Sequence, residues 1–123
     1  MPHSQVFAIE RDPEQLRCLR TNRARFGAGN VHVVEGEAPE ALDGLPEPQA
    51  TFIGGSGGRL PELLAGVSRP FVASFAVLEH VATVLARFPD AEVVEMNVSR
   101  SSAVGDGHRL AAQNPVYIVS ALG

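Results

Sequence analysis

Lysine and tryptophan are absent from this 123-residue sequence, and cysteine and tyrosine each occur once. A single cysteine, Cys18, excludes a disulfide framework and a cysteine zinc site. The four histidines show no spacing typical of metal ligands, so we predict no bound metal. Without lysine, all positive side-chain charge comes from arginine, and a net charge of −4 argues against a general nucleic-acid-binding surface.

Long hydrophobic runs are also missing. No stretch approaches the roughly 18 apolar residues that a membrane-spanning helix needs. The first residues, MPHSQVFAIERD, lack the pattern of a signal peptide. These absences predict a cytoplasmic protein without a membrane partner. The composition that remains, 45% hydrophobic and 20% charged, is typical of one globular domain.

Short apolar runs alternate with helical patterns along the chain. Asp12 followed by Pro13 indicates a helix start, with Gln15 in the position that closes a capping box. Strands that alternate with helices predict an α/β fold with a mostly parallel sheet and helices on both faces. The last two strands have no helix between them and predict an antiparallel edge, and the Gly- and Ser-rich segment 99–109 is predicted to join them as a hairpin connection. The predicted strands are residues 5–9, 31–34, 50–53, 71–75, 92–98 and 115–121, and the predicted helices are residues 13 to about 26, 39–42, 59–66 and 78–88.

Ligands of open parallel sheets bind at the carboxyl ends of the strands. Three successive strand ends carry distinctive residues: Glu10, then Gly36-Glu37-Ala38, then GGSGG at 54–58. An acidic residue at such an end commonly accepts hydrogen bonds from ribose hydroxyls, a role that suits Glu10. GGSGG lacks the residues of a phosphate loop and the spacing of a dinucleotide fingerprint. It predicts either a turn that brings the backbone close to a ligand or a plain tight turn.

Several motifs together resemble one known family. VFAIERDPEQLRCLRTNRARFG, NVHVVEGEAPEAL, FIGGSGG, NVSR and NPVYIV are similar to the decarboxylating precorrin methyltransferases, the C15-methylating half of precorrin-6Y C5,15-methyltransferase in cobalamin biosynthesis. The resemblance covers nearly the whole chain. It implies a Rossmann-like methyltransferase fold and an S-adenosylmethionine-dependent enzyme. Such an enzyme methylates C15 of a precorrin tetrapyrrole and decarboxylates its C12 acetate side chain.

The same resemblance assigns roles to individual residues. For S-adenosylmethionine it implies Glu10 at the ribose hydroxyls, Gly36, Glu37 and Ala38 beside the adenine, and Gly54, Gly55, Ser56 and Gly57 where the methionine end meets the tetrapyrrole. Arginine suits the carboxylates of a tetrapyrrole because it forms bidentate contacts. The candidates for substrate binding are Arg100, then Arg59 and Arg109. No catalytic residue is assigned.

The chain departs from this family at its start. The family's chains begin with another strand, a Gly-rich loop and a helix, and residues 1–5 contain no equivalent. We therefore expect residues 1–123 to form a single, N-terminally incomplete methyltransferase domain. Strands 5–9 and 50–53 then lack the strand that lies between them in the family. Three explanations are open: the chain is truncated, these two strands pair directly, or a second subunit fills the place of the missing strand.

Three functional hypotheses follow. The first is the precorrin methyltransferase, which we expect to be a homo-oligomer. The second is a catalytically inactive fragment or association module of that enzyme. The third is a non-catalytic nucleotide-binding Rossmann-like domain, which accounts for Glu10 but not for the GGSGG and NPVYIV motifs.

Overall fold

The computed structural model describes residues 4–55 and 58–123. They form two compact units, one ending at Pro46 and the other beginning at Glu47. The organisation of residues 1–123 as a single methyltransferase domain stays a prediction. Among the described residues, no helix has both the length and the apolar character needed to cross a membrane.

The first unit contains a two-stranded parallel sheet. Strand β1 (Val6–Glu10) pairs with β2 (Val31–Glu35), from Val6 opposite Val31 to Glu10 opposite Glu35. Helix α1 (Pro13–Arg25) connects the two strands, because parallel neighbours need a crossover connection. A short 3₁₀ helix, Glu40–Leu42, follows β2.

Helix α1 begins where the sequence predicts. Asp12 Oδ1 accepts hydrogen bonds from the backbone N–H groups of Glu14 and Gln15, at 2.8 and 3.1 Å. Leu16 is the buried residue of the helix, with 2% of its surface exposed. At the other end, Arg23 Nε donates to the carbonyl oxygen of Val31 at 2.6 Å. The helix is thereby fixed to the first residue of β2.

The second unit contains a mixed four-stranded sheet. Its elements in chain order are β3 (Thr51–Ile53), α2 (Leu60–Ala65), β4 (Phe71–Phe75), α3 (Leu78–Arg87), β5 (Glu92–Met96), β6 (Ser99–Val104), β7 (Gly107–Ala112) and β8 (Val116–Ala121). The sheet has the strand order β3-β4-β8-β5. β3 and β4 are parallel, whereas β8 is antiparallel to both of its neighbours. The antiparallel pairing of the last two predicted strands is confirmed, but β8 lies inside the sheet and β5 alone forms that edge.

The core of the second unit lies on one face of this sheet. Residues of β4 alternate along the strand, with Phe71, Ala73 and Phe75 buried. Helix α3 packs against β4 and β8, and α2 packs against α3. Phe71 meets Phe88 edge to face, with ring centroids 4.8 Å apart. The other buried apolar residues of this core are Ile53, Leu60, Leu63, Leu64, Val67, Val81, Val84, Val119 and Ala121.

An arginine holds the chain terminus of this unit against the core. The Arg69 guanidinium donates to the Asp90 carboxylate and to the carbonyl oxygen of Gly123. It also lies 5.3 Å from the centroid of the Phe88 ring. Its hydrogen bonds lower the pKa of Asp90.

Segment 99–109 contains regular β-strands, whereas the sequence predicts only a connection there. β6 and β7 form an antiparallel ribbon, which we call the β6–β7 ribbon, with Val104 opposite Gly107 at its tip. Gly105, at the first position of the two-residue turn, has φ 56°, which favours glycine there. Gln113 N–H donates to Val98 O at 2.8 Å and closes the base. The ribbon escaped prediction because serine and alanine give β6 no apolar alternation.

Strands 5–9 and 50–53 lie in different units, and their direct pairing stays a prediction. β1 belongs to the two-stranded sheet and β3 to the four-stranded sheet. Within the described residues, each of them pairs along one edge only, with β2 and β4 respectively. Apolar side chains on both strands are exposed: Val6 by 45% and Phe52 by 67%.

A core substitution tests the packing of the second unit. Leu64 is 2% exposed, so Leu64→Ala removes buried methyl groups and leaves a cavity. We expect a loss of about 2–5 kcal/mol in the free energy of unfolding, measured by urea denaturation. The control Leu78→Ala, at a residue 62% exposed, should change it by no more than about 0.5 kcal/mol. Equal losses in the two variants would contradict the assigned core.

Candidate functional site

Glu10 ends β1 with its carboxylate folded over the following turn. Oε1 accepts hydrogen bonds from the backbone N–H groups of Arg11 and Asp12, both at 3.0 Å. The Asp12 N–H thus goes to Glu10 and not to Gln15, so half of the predicted capping box is replaced. Within residues 4–55 and 58–123, no hydrogen bond is donated to Oε2. One carboxylate oxygen is therefore fixed by the backbone, and the other remains able to accept from a ligand.

Gly36 lies directly beside Glu10 at the end of β2. Its N–H donates to the carbonyl oxygen of Glu10 at 3.0 Å. A Cβ at Gly36 would lie 3.0 Å from the Cβ of Ala41, and the residue has φ 156°. Ala41 N–H in turn donates to the carbonyl oxygen of Glu37 at 2.9 Å. Glycine at this position lets the 3₁₀ helix fold close against the strand end.

An ion pair joins the ends of the two strands. Arg11 Nη1 lies 3.2 Å from Glu37 Oε1. Glu10, Gly36 and Glu37 are thus brought together, and Ala38 follows with a cis peptide bond to Pro39. The Glu37 carboxylate is paired with Arg11, so any ligand contact with it competes with this guanidinium. Sequence reasoning missed Arg11, for which the available signal is its position directly after Glu10.

The glycine-rich turn belongs to the second unit. Gly54 and Gly55 follow β3, whereas Ser56 and Gly57 lie outside the described residues. A Cβ at Gly54 would lie 3.2 Å from Cε1 of Phe52. The Phe52 ring therefore lies alongside Gly54, and a side chain at Gly54 would require the ring to shift by a few tenths of an ångström. Sequence reasoning also missed Phe52, although Ile53 buried on one face of β3 places its neighbour on the other.

The three candidate arginines have different surroundings. Arg59 precedes α2 and donates from Nε and Nη2 to Glu62 Oε2, at 3.2 and 2.5 Å. Arg100 and Arg109 lie on β6 and β7, where Arg109 Nε donates to Ser102 Oγ at 3.3 Å. A ligand carboxylate at Arg59 has to compete with Glu62. The structure brings Arg100 and Arg109 together on one ribbon and places Arg59 on another element.

The donor and acceptor chemistry of these residues fits an adenosine-containing ligand. In the first unit, a fixed carboxylate with one available oxygen can accept from ribose hydroxyls, and glycine at Gly36 allows close approach to the backbone. Across residues 4–55 and 58–123, no group of three or more His, Cys, Asp or Glu side chains is arranged to hold a metal ion.

A family profile described as a precorrin methyltransferase domain matches residues 1–122. The chain belongs to the precorrin methyltransferase family. This confirms the family predicted from the VFAIERD, EGEAPEAL, FIGGSGG and NPVYIV motifs.

Individual relatives agree with this assignment. The precorrin methyltransferase chain is 35% identical over 130 residues to the cobalt-precorrin-6B C(15)-methyltransferase (decarboxylating) of Salmonella typhimurium, covering 97% of this chain and 67% of that protein. It therefore spans about two thirds of that relative's length. The crystal structure of precorrin-6Y C5,15-methyltransferase from Geobacter metallireducens matches with a TM-score of 0.89 and 36% identity, over 100% of this chain and 70% of that one.

A more distant structure bears on the fold alone. The S-adenosylmethionine-dependent O-methyltransferase of Thermotoga maritima matches this precorrin methyltransferase chain with a TM-score of 0.67 and 15% identity, over 99% of this chain and 51% of that one. Together with the Geobacter structure, it confirms the predicted α/β methyltransferase fold with antiparallel C-terminal strands.

The close approach at Gly36 can be tested by adding a methyl group. Gly36→Ala forces a new Cβ to within 3.0 Å of Ala41. We expect it to lower the free energy of unfolding by about 1–3 kcal/mol, a magnitude typical of local strain, as measured by urea denaturation. Gly29→Ala is the control, because no atom lies within 4 Å of its added Cβ. Similar stabilities for the two variants would show that the strand end does not require glycine.

Proposed function

We infer that this chain is the binding and positioning part of an S-adenosylmethionine-dependent methyltransferase. Its substrate is a precorrin tetrapyrrole, methylated at C15 with decarboxylation of the C12 acetate side chain. The observation that carries the proposal is the Glu10 carboxylate, held at a strand end by two backbone N–H groups at 3.0 Å. Membership of the precorrin methyltransferase family supports the same reaction.

Glu10 is suited to orient a ribose without moving. The backbone holds Oε1, so the direction of Oε2 is set before a ligand arrives. Binding then costs little side-chain ordering, which is the advantage of a preorganised acceptor. Gly36 and Glu37 lie at the neighbouring strand end and form the adenine side of the proposed site.

The reacting end of the site is assigned to the glycine-rich turn after β3. S-Adenosylmethionine supplies an activated methyl group on a sulfonium. The contribution required of the protein is therefore mainly positioning and a suitable electrostatic environment. Gly54 and Gly55 offer backbone that a ligand can approach closely, with the Phe52 ring alongside Gly54. The decarboxylation is proposed from the resemblance, without an assigned residue.

One observation favours the second hypothesis, an association module of a longer enzyme. In the described part of the chain, β1 and β3 each pair along a single edge. Open apolar edges of this kind add strands from other segments readily. In this hypothesis the chain folds, but it binds the cofactor only together with a further segment of the longer enzyme.

The Glu10 assignment is tested with S-adenosylhomocysteine, titrated calorimetrically into the folded chain. We expect micromolar binding, and Glu10→Gln should weaken it about tenfold or more, since a hydrogen bond to a charged acceptor contributes about 1.5–3 kcal/mol. Glutamine keeps an oxygen for the Arg11 and Asp12 N–H groups but presents a donor in place of Oε2. The turn is thus preserved while the ribose acceptor is lost.

The matched control is Glu14→Gln, which removes a carboxylate paired with Arg17 on the same helix and should leave affinity unchanged. Unchanged affinity in Glu10→Gln would overturn the ribose assignment. A folded wild-type chain that binds no S-adenosylhomocysteine would overturn the proposal in favour of the association module.

The proposal includes a homo-oligomer assembled through the β6–β7 ribbon. No other strand among the described residues pairs with β6 or β7. Apart from Ser102 and Ala111, all strand residues of the ribbon are exposed, with Leu110 at 74%. An isolated two-stranded ribbon is marginally stable in water. A second copy can cover Leu110 and pair with an open edge, and a two-fold axis makes such a contact self-complementary.

Leu110→Asp tests this assembly. We expect the wild-type chain to be a multimer by light scattering after gel filtration, and Leu110→Asp to be a monomer because a charge is buried at the contact. Phe26→Asp is the control, since Phe26 is 75% exposed but lies at the end of α1. A wild-type monomer at all concentrations, or equal masses for wild type and Leu110→Asp, would contradict the proposed contact.

A further inference from the structure

The β6–β7 ribbon has two chemically different faces. In its register, Arg100 is opposite Ala111 and Ser102 is opposite Arg109. Because side chains alternate along a strand, these four residues share one face, which we call the arginine face. Leu110 is the cross-strand partner of Ser101, and both lie on the other face of the ribbon. The surface proposed for assembly and the arginine face therefore point in different directions.

The two arginines are diagonal neighbours on the arginine face. Such cross-strand diagonals lie about 7–8 Å apart, within reach of long side chains. Arg109 Nε reaches Ser102 Oγ at 3.3 Å, so its stem crosses toward the β6 strand that carries Arg100. Ser102 and Ala111 are the partly buried residues of the ribbon. The two arginine side chains therefore start from the same face of the ribbon, close enough for one ligand to reach both.

No carboxylate neutralises this area within the part of the chain that the structure describes. Neither Arg100 nor Arg109 forms an ion pair there. Five of the eight other arginines do face carboxylates, namely Arg11, Arg17, Arg20, Arg59 and Arg69. The arginine face thus carries two guanidinium charges with no carboxylate partner, although the chain as a whole has a net charge of −4. An anionic ligand can supply the counter-charge that the described residues do not.

We propose that the arginine face binds two carboxylates of one tetrapyrrole molecule. Each guanidinium can grip a carboxylate in bidentate fashion. A single exposed ion pair contributes little, but the second carboxylate of a rigid ligand binds at high effective concentration once the first is held. This inference rests on the proposed function for its ligand class and adds the ribbon as the place where that ligand is held.

The test uses uroporphyrin I, an octacarboxylic tetrapyrrole, titrated into the full chain and followed by fluorescence. We expect Arg100→Ala and Arg109→Ala each to weaken binding several-fold, with Arg100→Lys and Arg109→Lys intermediate because lysine keeps the charge without the bidentate geometry. Binding to wild type should weaken with added salt. The octamethyl ester of the same porphyrin should bind far more weakly, since it carries no charge.

Arg87→Ala is the matched control, because Arg87 is an exposed arginine on α3 whose guanidinium lies 4.8 Å from the Phe88 ring centroid. It should bind uroporphyrin I like wild type. Equal weakening by Arg87→Ala, or equal binding of acid and ester, would overturn the proposal. So would unchanged affinity in the Arg100 and Arg109 variants, or a loss of binding accompanied by a change in oligomer mass.

Failure here is distinguishable from failure of the proposed function. The affinity for S-adenosylhomocysteine should be the same in wild type, Arg100→Ala and Arg109→Ala, because these residues are assigned to the tetrapyrrole alone. Loss of uroporphyrin I binding in the arginine variants supports the arginine face even if Glu10→Gln leaves S-adenosylhomocysteine binding unchanged. Conversely, intact uroporphyrin I binding in the variants overturns the arginine face while the Glu10 assignment stands.

Discussion

The position of β8 between β4 and β5 is the constraint on which the larger sheet depends. β8 hydrogen-bonds to both neighbours in antiparallel register, and its Val119 is fully buried. β4 and β5 are therefore parallel to each other but never in contact, and without β8 the sheet would divide. The chain has to leave the sheet after β5, reverse direction and return between the two strands. The β6–β7 ribbon occupies that excursion, which is why it protrudes without packing on the core.

This topology separates the fold's stability from its binding surfaces. The buried side chains of β4 and β8 face α3, on one side of the sheet. The ribbon and the strand ends carry polar groups that have no partner among the described residues, such as the Arg100 guanidinium and Oε2 of Glu10. Glu10 nevertheless serves both purposes, because its Oε1 also fixes the turn into α1. A substitution at Glu10 that removes this oxygen therefore alters the turn into α1 as well as the proposed ligand contact.

Much of the fold could be predicted because the sequence carries strong local signals. FVASF alternates between buried and half-buried positions and coincides with β4, and Asp12-Pro13 marks the start of α1. The order of strands could not be predicted, since the insertion of β8 is set by long-range pairing that no local pattern records. The β6–β7 ribbon was missed for the opposite reason: its pairing is local, but serine and alanine provide no apolar periodicity, and only the VGDG turn indicates a hairpin.

The candidate site could likewise be predicted from the sequence only in part. Glu10, Gly36 and Glu37 could be predicted to meet because parallel strands end at one edge, and β1 and β2 are in register to their last residues. The Arg11–Glu37 pair depends on side-chain directions at those ends, which the sequence does not specify. Arg100 and Arg109 were each singled out by residue type, yet their shared face follows only from the register of the ribbon.

A strand-end glutamate suits a nucleotide-binding domain without catalysis as well as a methyltransferase, because both bind a ribose. Glu10 therefore cannot separate the two by itself. The distinction lies in the ribbon, which a nucleotide-binding role does not require. Two arginines on one face of an exposed ribbon, without a carboxylate partner among the described residues, are available to bind an anion. A tetrapyrrole with several carboxylates supplies such an anion on a rigid frame, whereas an adenosine ligand with a cationic sulfonium does not. The charge of the arginine face thus favours a second, acidic ligand and with it a transfer reaction between two bound molecules.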